Sequence, residues 1–413
     1  MSRRIVVLVS LFVIAAHRAA AGAEITLLHD LDSERSAILA VLAAQFNRGA
    51  KGGRVVVEKA GMARTGRDPA PILALVRDDD DMSIVAGRRI LPLDRFMARN
   101  GRRLDARGFF PALREVADGG GRLRALPLAY FLPVLYYNKD ALRRAGVQPA
   151  APATWFALQE AAGALHEAGV ACPYTSSWPV WVHLENTSAQ HHEPFVAVGT
   201  GALRLAFNSL VNVKHVAVLA SWFKSGYFRL FGDAAEADAR FIAGECALLT
   251  SGSDAHARIR REAAFELGVA PLPYHDDVPG VTPASVAPGG GSLWVLAGGR
   301  RAEQRLAASF VAFLLGPEVQ RRWVAESGFL PLGPAAGVTD VAGLGVPPAA
   351  LLALRLAERR RLADERLRDG AAYRAMRRIV GEELSAVWAE GKPAKAALDA
   401  AVERGNAALA AKR

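Results

Sequence analysis

Ile25-Thr26-Leu27-Leu28-His29-Asp30-Leu31-Asp32-Ser33-Glu34-Arg35-Ser36-Ala37-Ile38-Leu39-Ala40-Val41-Leu42-Ala43-Ala44-Gln45-Phe46 holds, in one short stretch, the two periodicities on which the fold class turns. Ile25–Leu28 is a short apolar run and reads as a strand. Asp32 or Ser33 then offers an oxygen that caps the first turn of a helix. Ile38, Leu39, Leu42 and Phe46 follow at helical spacing and form its apolar face. Downstream, Val55-Val56-Val57 reads as a second strand, Ile72 to Arg77 as a short helix, and Met82 to Val85 as a third strand after Asp78–Asp81. Strand and helix alternate, so the expected class is α/β with a mainly parallel sheet.

The pattern continues outward. Leu126 to Tyr137 is nearly all apolar or aromatic, and Pro127 and Pro133 make it read as strand segments that change direction. Thr154 caps a helix carrying Trp155, Leu158, Ala162 and Leu165 on one face. Gly244 to Thr250 and Gly268 to Leu272 read as buried strands. Gly289-Gly290-Gly291 reads as a turn leading into a strand from Ser292 to Ala297. Helices are expected from Ala302 to Leu315 and from about Pro317 to Glu326. The C-terminal part reads as helical: Arg-rich from Ala349 to Arg368, then Met376, Ile379, Val380, Glu383, Leu384 and Val387 at helical spacing. Gly391-Lys392-Pro393 separates that helix from a last, Ala-rich one.

The chain has 413 residues, 51% of them hydrophobic and 22% charged. That mixture is globular and excludes a disordered, collagen-like or coiled-coil chain, and the length suits about two to three domains. The formal net charge is +10, to which Arg3, Arg4 and Arg18 contribute with no acid before Ala23. A basic start, an apolar run from Ile5 to Ala16 and Ala21-Gly22-Ala23 form the order of a secretory signal peptide, residues 1–23. The run is too short to span a bilayer, so a soluble, exported protein is expected, in the periplasm. Export permits a disulfide; Cys172 and Cys246 are the two cysteines, either bridged or buried as thiols.

Pro133-Val134-Leu135-Tyr136-Tyr137-Asn138-Lys139-Asp140, followed by Thr154-Trp155, resembles the extracellular solute-binding proteins of ABC importers, in the family that takes up sugars and polyols. Within it, the branch that binds glycerol 3-phosphate is the nearest. Trp178 and Trp181-Val182-His183-Leu184-Glu185-Asn186, Gly244-Glu245-Cys246-Ala247, Gly290 with Ser292-Leu293-Trp294-Val295, and Gly328-Phe329-Leu330-Pro331 are similar to its runs in the same order. So are Glu382-Glu383-Leu384 with Val387-Trp388, and Ala401 to Asn406. The resemblance implies a two-lobe periplasmic binding protein fold (type II) with hinge crossover strands and a helical C-terminus. It implies one lobe of 24–128 and 274–326 and another of 129–273 and 327–413. A ligand would lie between them.

The resemblance also implies site residues. Arg377 falls at a ligand-binding arginine, whose fork suits phosphate or carboxylate. Gly290 falls at a glycine whose N–H can face an anion. Phe131 and Gly252 stand where the family has serines, and Phe329 where it has a tyrosine. Another tyrosine falls near Ala63. The family's acid falls at Asp78, or near Gly87 or Arg88. Each lost hydroxyl removes a hydrogen bond to a polar solute, and the phenylalanines make the cleft more apolar. Trp155 and Trp178 are expected to offer aromatic faces to a sugar or polyol, Trp155 the more so, whereas Trp181 is expected in the core and Tyr130 clusters near them.

No enzymatic motif of the nucleophile-elbow, P-loop or zinc-protease kind is present. His191-His192-Glu193 lacks a second pair at metal spacing, and Asp78–Asp81 lacks the alternation of a calcium loop. The expectation is therefore a monomeric binding protein with no cofactor, no metal and no nucleic-acid partner. It would capture a sugar, polyol or glycerophosphate-like solute for the transmembrane subunits of an ABC permease. The alternative is a partner of a membrane sensor, with an altered pocket and no transport role.

Overall fold

The strand read at Ile25–Leu28 is β1, Ala23–His29, and the helix that follows is α1, Ser33–Gly49, with Asp32 as its N-cap accepting from the Arg35 N–H. The computed structural model describes residues 22–60, 71–77, 89–110, 113, 123–198, 203–232, 234–283, 286–333 and 370–410. The expected leader up to residue 21, the Asp78–Asp81 run, the strand at Met82–Val85, Ala63, Gly87, Arg88 and the helix at Ala349–Arg368 lie outside the described residues.

After α1 come β2 (Gly53–Lys59), β3 (Leu73–Arg77), β4 (Ile90–Leu91), α2 (Leu93–Arg99), β5 (Leu126–Phe131), β6 (Pro133–Asn138), α3 (Lys139–Arg144) and α4 (Trp155–Glu167). Then follow β7 (Cys172–Ser176), a π-helical turn at Trp181–Glu185, α5 (Asn186–Gln190), β8 (Val196–Val198), β9 (Leu203–Leu205), α6 (Leu210–Lys224), β10 (Phe228–Arg229) and α7 (Glu236–Ile242). The chain continues with β11 (Cys246–Gly252), α8 (His256–Glu262), β12 (Leu267–Pro271), β13 (Gly289–Leu296), α9 (Arg301–Leu314), α10 (Pro317–Ser327), α11 (Gly370–Glu390) and α12 (Ala394–Ala410).

Among the described residues these strands make two large sheets. The first runs β2-β1-β3-β13-β4, with β5 also on β13; the second runs β10-β7-β11-β6-β12. The pairs β1–β2 and β1–β3 are parallel, whereas β13 is antiparallel to β3, β4 and β5. The chain crosses between sheets at Leu132 and again between Pro271 and Gly289. β5 stays with the first sheet through Phe131. The helices α1 and α9 cover the first sheet, α4 and α7 the second, and α11 and α12 pack on each other and on α6.

Three sequence expectations are corrected. Neither large sheet is mainly parallel: β13 is antiparallel to its three partners, and β6 is antiparallel to β11 and β12, while β7 is parallel to β10 and β11. Residues Leu73–Arg77 form a strand, not a short helix. β3 lies between β1 and β13 with Leu73, Ala74, Leu75 and Val76 wholly buried, and a strand covered on both faces shows an unbroken apolar run rather than alternation. Gly289–Gly291 are not a turn but the first residues of β13. Gly290 sits opposite Tyr130 at φ 119, and a Cβ there would lie 2.0 Å from the Ala129 carbonyl oxygen. Glycine is needed because β5 and β13 approach too closely for a side chain.

Cys172 and Cys246 face each other on adjacent parallel strands, β7 and β11, and are joined in a disulfide. Among the described residues no helix is long and apolar enough to cross a membrane.

Candidate functional site

The two layers meet where the end of β11 passes the start of α1. Ser253 donates its N–H to Leu132 O at 2.7 Å, and its Oγ accepts from Leu132 N at 3.1 Å, which pins the end of β11 to the crossing strand. Arg35, in the first turn of α1, reaches across: Nη2 donates to Asp254 Oδ2 at 2.9 Å and to Asp254 O at 3.1 Å, and Nε donates to Ser327 O at 3.0 Å. Its guanidinium also pairs with Asp32 at 2.6 Å and lies 4.9 Å from the centre of the Phe329 ring. Beside it Arg261 of α8 pairs with Glu34 at 3.1 Å.

A cavity of about 430 Å³ opens here, with Asp32 and Arg35 of the α1 end on one side, and Trp178, Asp238, Asp254 and Arg258 of the second layer on the other. Asp238 is buried and accepts from Ser177 Oγ at 2.7 Å. Burial pushes its carboxyl up to about 6, against the hydrogen bonds of Ser177 and Ser251 that favour the charged form. Trp178 holds a left-handed backbone, φ 55, with its N–H on Ala234 O at 2.9 Å.

Of the residues named from the sequence, Phe131 and Gly252 come together, and a Cβ on Gly252 would also stand 2.2 Å from Asp254 Oδ1. The Phe131 ring occupies the space between Gly252 and Gly289: a Cβ on Gly252 would stand 2.8 Å from it, and one on Gly289 2.7 Å. Phe131 is 3% exposed and meets Trp181 edge to face, centroids 5.2 Å apart. Trp181 is in the core as expected, its Nε1–H on Ala287 O at 3.0 Å. Phe329 is buried against Trp323 and beneath Arg35. Trp178 lines the cavity.

Trp155 does not. It is 1% exposed and packs among Tyr174, His183, His215 and Trp222. Its place just after the Thr154 cap turns it inward on the buried face of α4, not toward the cavity. Gly290 is likewise within the sheet. Arg377, on α11, bonds Glu185 with Nη2 at 3.0 Å and Nε at 3.3 Å, and both side chains are mostly buried. Its charge is therefore matched within the protein. Tyr130 is buried with its hydroxyl 3.1 Å from Ser292 Oγ.

The sequence reading did not reach Arg35, Asp238 or Asp254. No spacing links them; they come from three separate elements. Among the described residues no group of three or more His, Cys, Asp or Glu side chains is arranged to hold a metal ion.

The model for the bacterial extracellular solute-binding proteins matches residues 71–342. The chain belongs to that family. As a solute-binding protein it is 32% identical, over 96% of its length and 94% of the relative's, to the sn-glycerol-3-phosphate-binding periplasmic protein UgpB of Pectobacterium atrosepticum. Its fold is that of UgpB from Mycobacterium tuberculosis, solved in complex with glycerophosphocholine, at a TM-score of 0.75 and 21% identity, covering 94% of this chain and 99% of the other. A cyclic alpha-maltosyl-1,6-maltose binding protein from Arthrobacter globiformis matches at a TM-score of 0.72 and 19% identity, covering 94% and 99%. This solute-binding protein therefore has the two-lobe architecture, one lobe around each large sheet, with a helical C-terminus.

Proposed function

We propose that this solute-binding protein works as a monomer in the periplasm, after loss of residues 1–23. It would hold a hydroxyl-bearing solute between a lobe of about 24–128 and 274–326 and one of about 129–273 and 327–413. Its place is as the substrate-binding component of an ABC importer, delivering to the transmembrane subunits. The solute is of the sugar, polyol or glycerophosphodiester kind, in preference to a phosphomonoester dianion.

One observation carries the choice of solute. Every guanidinium that lines the cavity already carries a carboxylate partner: Arg35 with Asp32 and Asp254, Arg258 with Glu262, and Arg261 with Glu34. Arg377 is matched by Glu185 in the same way. A dianion would have to displace one of these partners and leave a carboxylate beside it, a like-charge cost. A neutral or zwitterionic solute meets no such cost and finds acceptors in Asp238 and Asp254 and a ring in Trp178.

Calorimetry on protein unfolded and refolded to strip carried-over solute tests this. Among maltose, glycerol, glycerophosphocholine and sn-glycerol 3-phosphate, the best uncharged or zwitterionic compound is expected to bind at least about tenfold tighter than sn-glycerol 3-phosphate, a difference of about 1.4 kcal/mol. Tightest binding of sn-glycerol 3-phosphate would overturn the reading.

Arg377 is separable from the solute. Arg377→Ala leaves Glu185 poorly compensated and is expected to destabilise the fold by about 2 kcal/mol, the scale of a charged hydrogen bond. Removing Glu185 as well should restore part of the loss, read from urea midpoints of the two single variants and the double variant. Unchanged stability together with lost solute binding would put Arg377 in the site instead.

A further inference from the structure

A file of imidazoles runs beside Trp155. His183 Nδ1 lies 3.0 Å from His215 Nε2, and His215 Nδ1 lies 3.0 Å from His275 Nε2. His183 and His215 are wholly buried, and His275, at 6% exposure, is the outer end. Trp155 packs its ring against all three, 4.7 Å from His215, 5.6 Å from His183 and 6.4 Å from His275 between centroids. At the inner end, His183 Nε2 lies 3.4 Å from Tyr174 OH, which lies 2.7 Å from Thr250 Oγ1. Thr250 Oγ1 donates to Ser176 Oγ at 2.9 Å, and Ser176 Oγ donates to Ser177 O at 3.2 Å.

The last member sets the direction of every hydrogen in the line. A carbonyl oxygen only accepts, so Ser176 uses its one hydroxyl hydrogen there. Thr250 then gives to Ser176, Tyr174 gives to Thr250, and His183 must present Nε2–H to Tyr174. A neutral imidazole has one N–H, so His215 gives its Nε2–H to His183 Nδ1, and His275 gives its Nε2–H to His215 Nδ1. Burial keeps the rings neutral: it lowers His183 to about 3, His215 well below the ordinary value, and His275 to about 4. Around His215 the titratable groups are His183, His275 and His191; around His275 they are Lys214 and His191, which lower it further, and Asp277 and Asp276, which pull the other way.

The carbonyl at the end of the line belongs to the residue before Trp178. A bulky side chain at positive φ costs roughly 1–2 kcal/mol and persists only where its surroundings hold it. Here Ser177 N donates to Thr250 O at 2.9 Å, Trp178 N to Ala234 O at 2.9 Å, and Ser177 Oγ to Asp238 at 2.7 Å. We propose that His183, His215 and His275 are positioning residues of the solute cavity: through Tyr174, Thr250 and Ser176 they hold the Ser177 carbonyl, and with it the left-handed Trp178 that forms the cavity wall. The geometry stands by itself, while its meaning for solute binding rests on the function proposed above.

Nitrogen NMR of histidine-labelled, solute-free protein tests the line directly. All three rings are expected to carry their proton on Nε2 at pH 7.5 and to stay neutral to pH 5. A proton on Nδ1 of any of them would overturn the proposal. Tyr174→Phe removes only the hydroxyl that joins the file to Thr250, and His215→Leu interrupts the file itself. In protein labelled with 5-fluorotryptophan, the Trp178 fluorine resonance can be picked out among the seven tryptophans by Trp178→Phe. Both Tyr174→Phe and His215→Leu are expected to move it, while that of Trp294, on the other sheet, stays in place. A Trp178 line that does not move in Tyr174→Phe sinks the proposal. If instead the solute reading is wrong, glycerophosphocholine, maltose, glycerol and sn-glycerol 3-phosphate bind neither parent nor variant, and the Trp178 shift is still seen.

Discussion

Taking the protein from pH 7.5 to pH 5 is expected to lower its stability by at least about 3 kcal/mol. The unfolded chain takes up protons on histidine near the ordinary value of about 6.5. Folded His183 and His275 do not, because burial holds them at about 3 and about 4. Each folded-state value is depressed, so each contributes stability that is complete above about 6.5 and is lost as the pH falls toward the folded value. At pH 5 the loss is about 2 kcal/mol for each of the two, at about 1.4 kcal/mol per unit. His215 acts in the same direction, since burial also depresses it. Asp238 opposes them: its folded value of about 6 lies above that of an unfolded aspartate, so the folded state gains about 1 kcal/mol as it takes up a proton near pH 5. The carboxylates held low by arginine partners, such as Asp32 and Glu262, begin to matter only at lower pH. Urea midpoints at pH 7.5, 6 and 5 measure the sum. Equal midpoints at all three would mean that the folded state takes up as many protons as the unfolded chain over this range, which would overturn the depressed values. His275→Gln should remove about 2 kcal/mol of the pH dependence.

Replacing both cysteines by alanine is expected to cost about 4 kcal/mol. The bridge spans 74 residues of chain, and closing a loop of that length in the unfolded state removes entropy worth roughly 4 kcal/mol. The loss falls on a pair of strands that carries much else. β7 and β11 are neighbours in the second sheet, and across them Thr250 of β11 meets Tyr174 and Ser176 of β7. The urea midpoint of Cys172→Ala/Cys246→Ala, set beside that of the parent protein, gives the number. A midpoint unchanged from the parent would show that the unfolded chain is already constrained without the bridge.

The elements that sequence reading placed are those with a local cause. Asp32 and Thr154 each cap a helix, and the apolar face of α1 and the Gly391-Lys392-Pro393 break appear where their patterns put them. The readings that failed depend on neighbours distant in the chain. Leu73–Arg77 is a strand because β1 and β13 cover both of its sides, and Gly289–Gly291 belong to β13 because β5 lies against them. Trp155 faces inward because the histidines and Trp222 stand behind it. Family membership was legible because the motifs are spread through the whole chain and their order survives substitution.

The sequence by itself determined the alternation of strand and helix, the capped helices and the family, since each is written in residues close together or in a run of motifs in order. Only the tertiary structure decided the charge and shape of the cavity. Whether Arg377 is available to a solute depends on Glu185, and whether Gly252 and Gly289 leave space depends on the ring of Phe131 and, at Gly252, on Asp254. Arg35, Asp238 and Asp254 become neighbours only when α1, α7 and the end of β11 meet, and His183, His215 and His275 become a line only in the folded core. Hydrogen bonds and ion pairs act over a few ångströms, and the distances that decide them are set by packing between segments far apart in the chain.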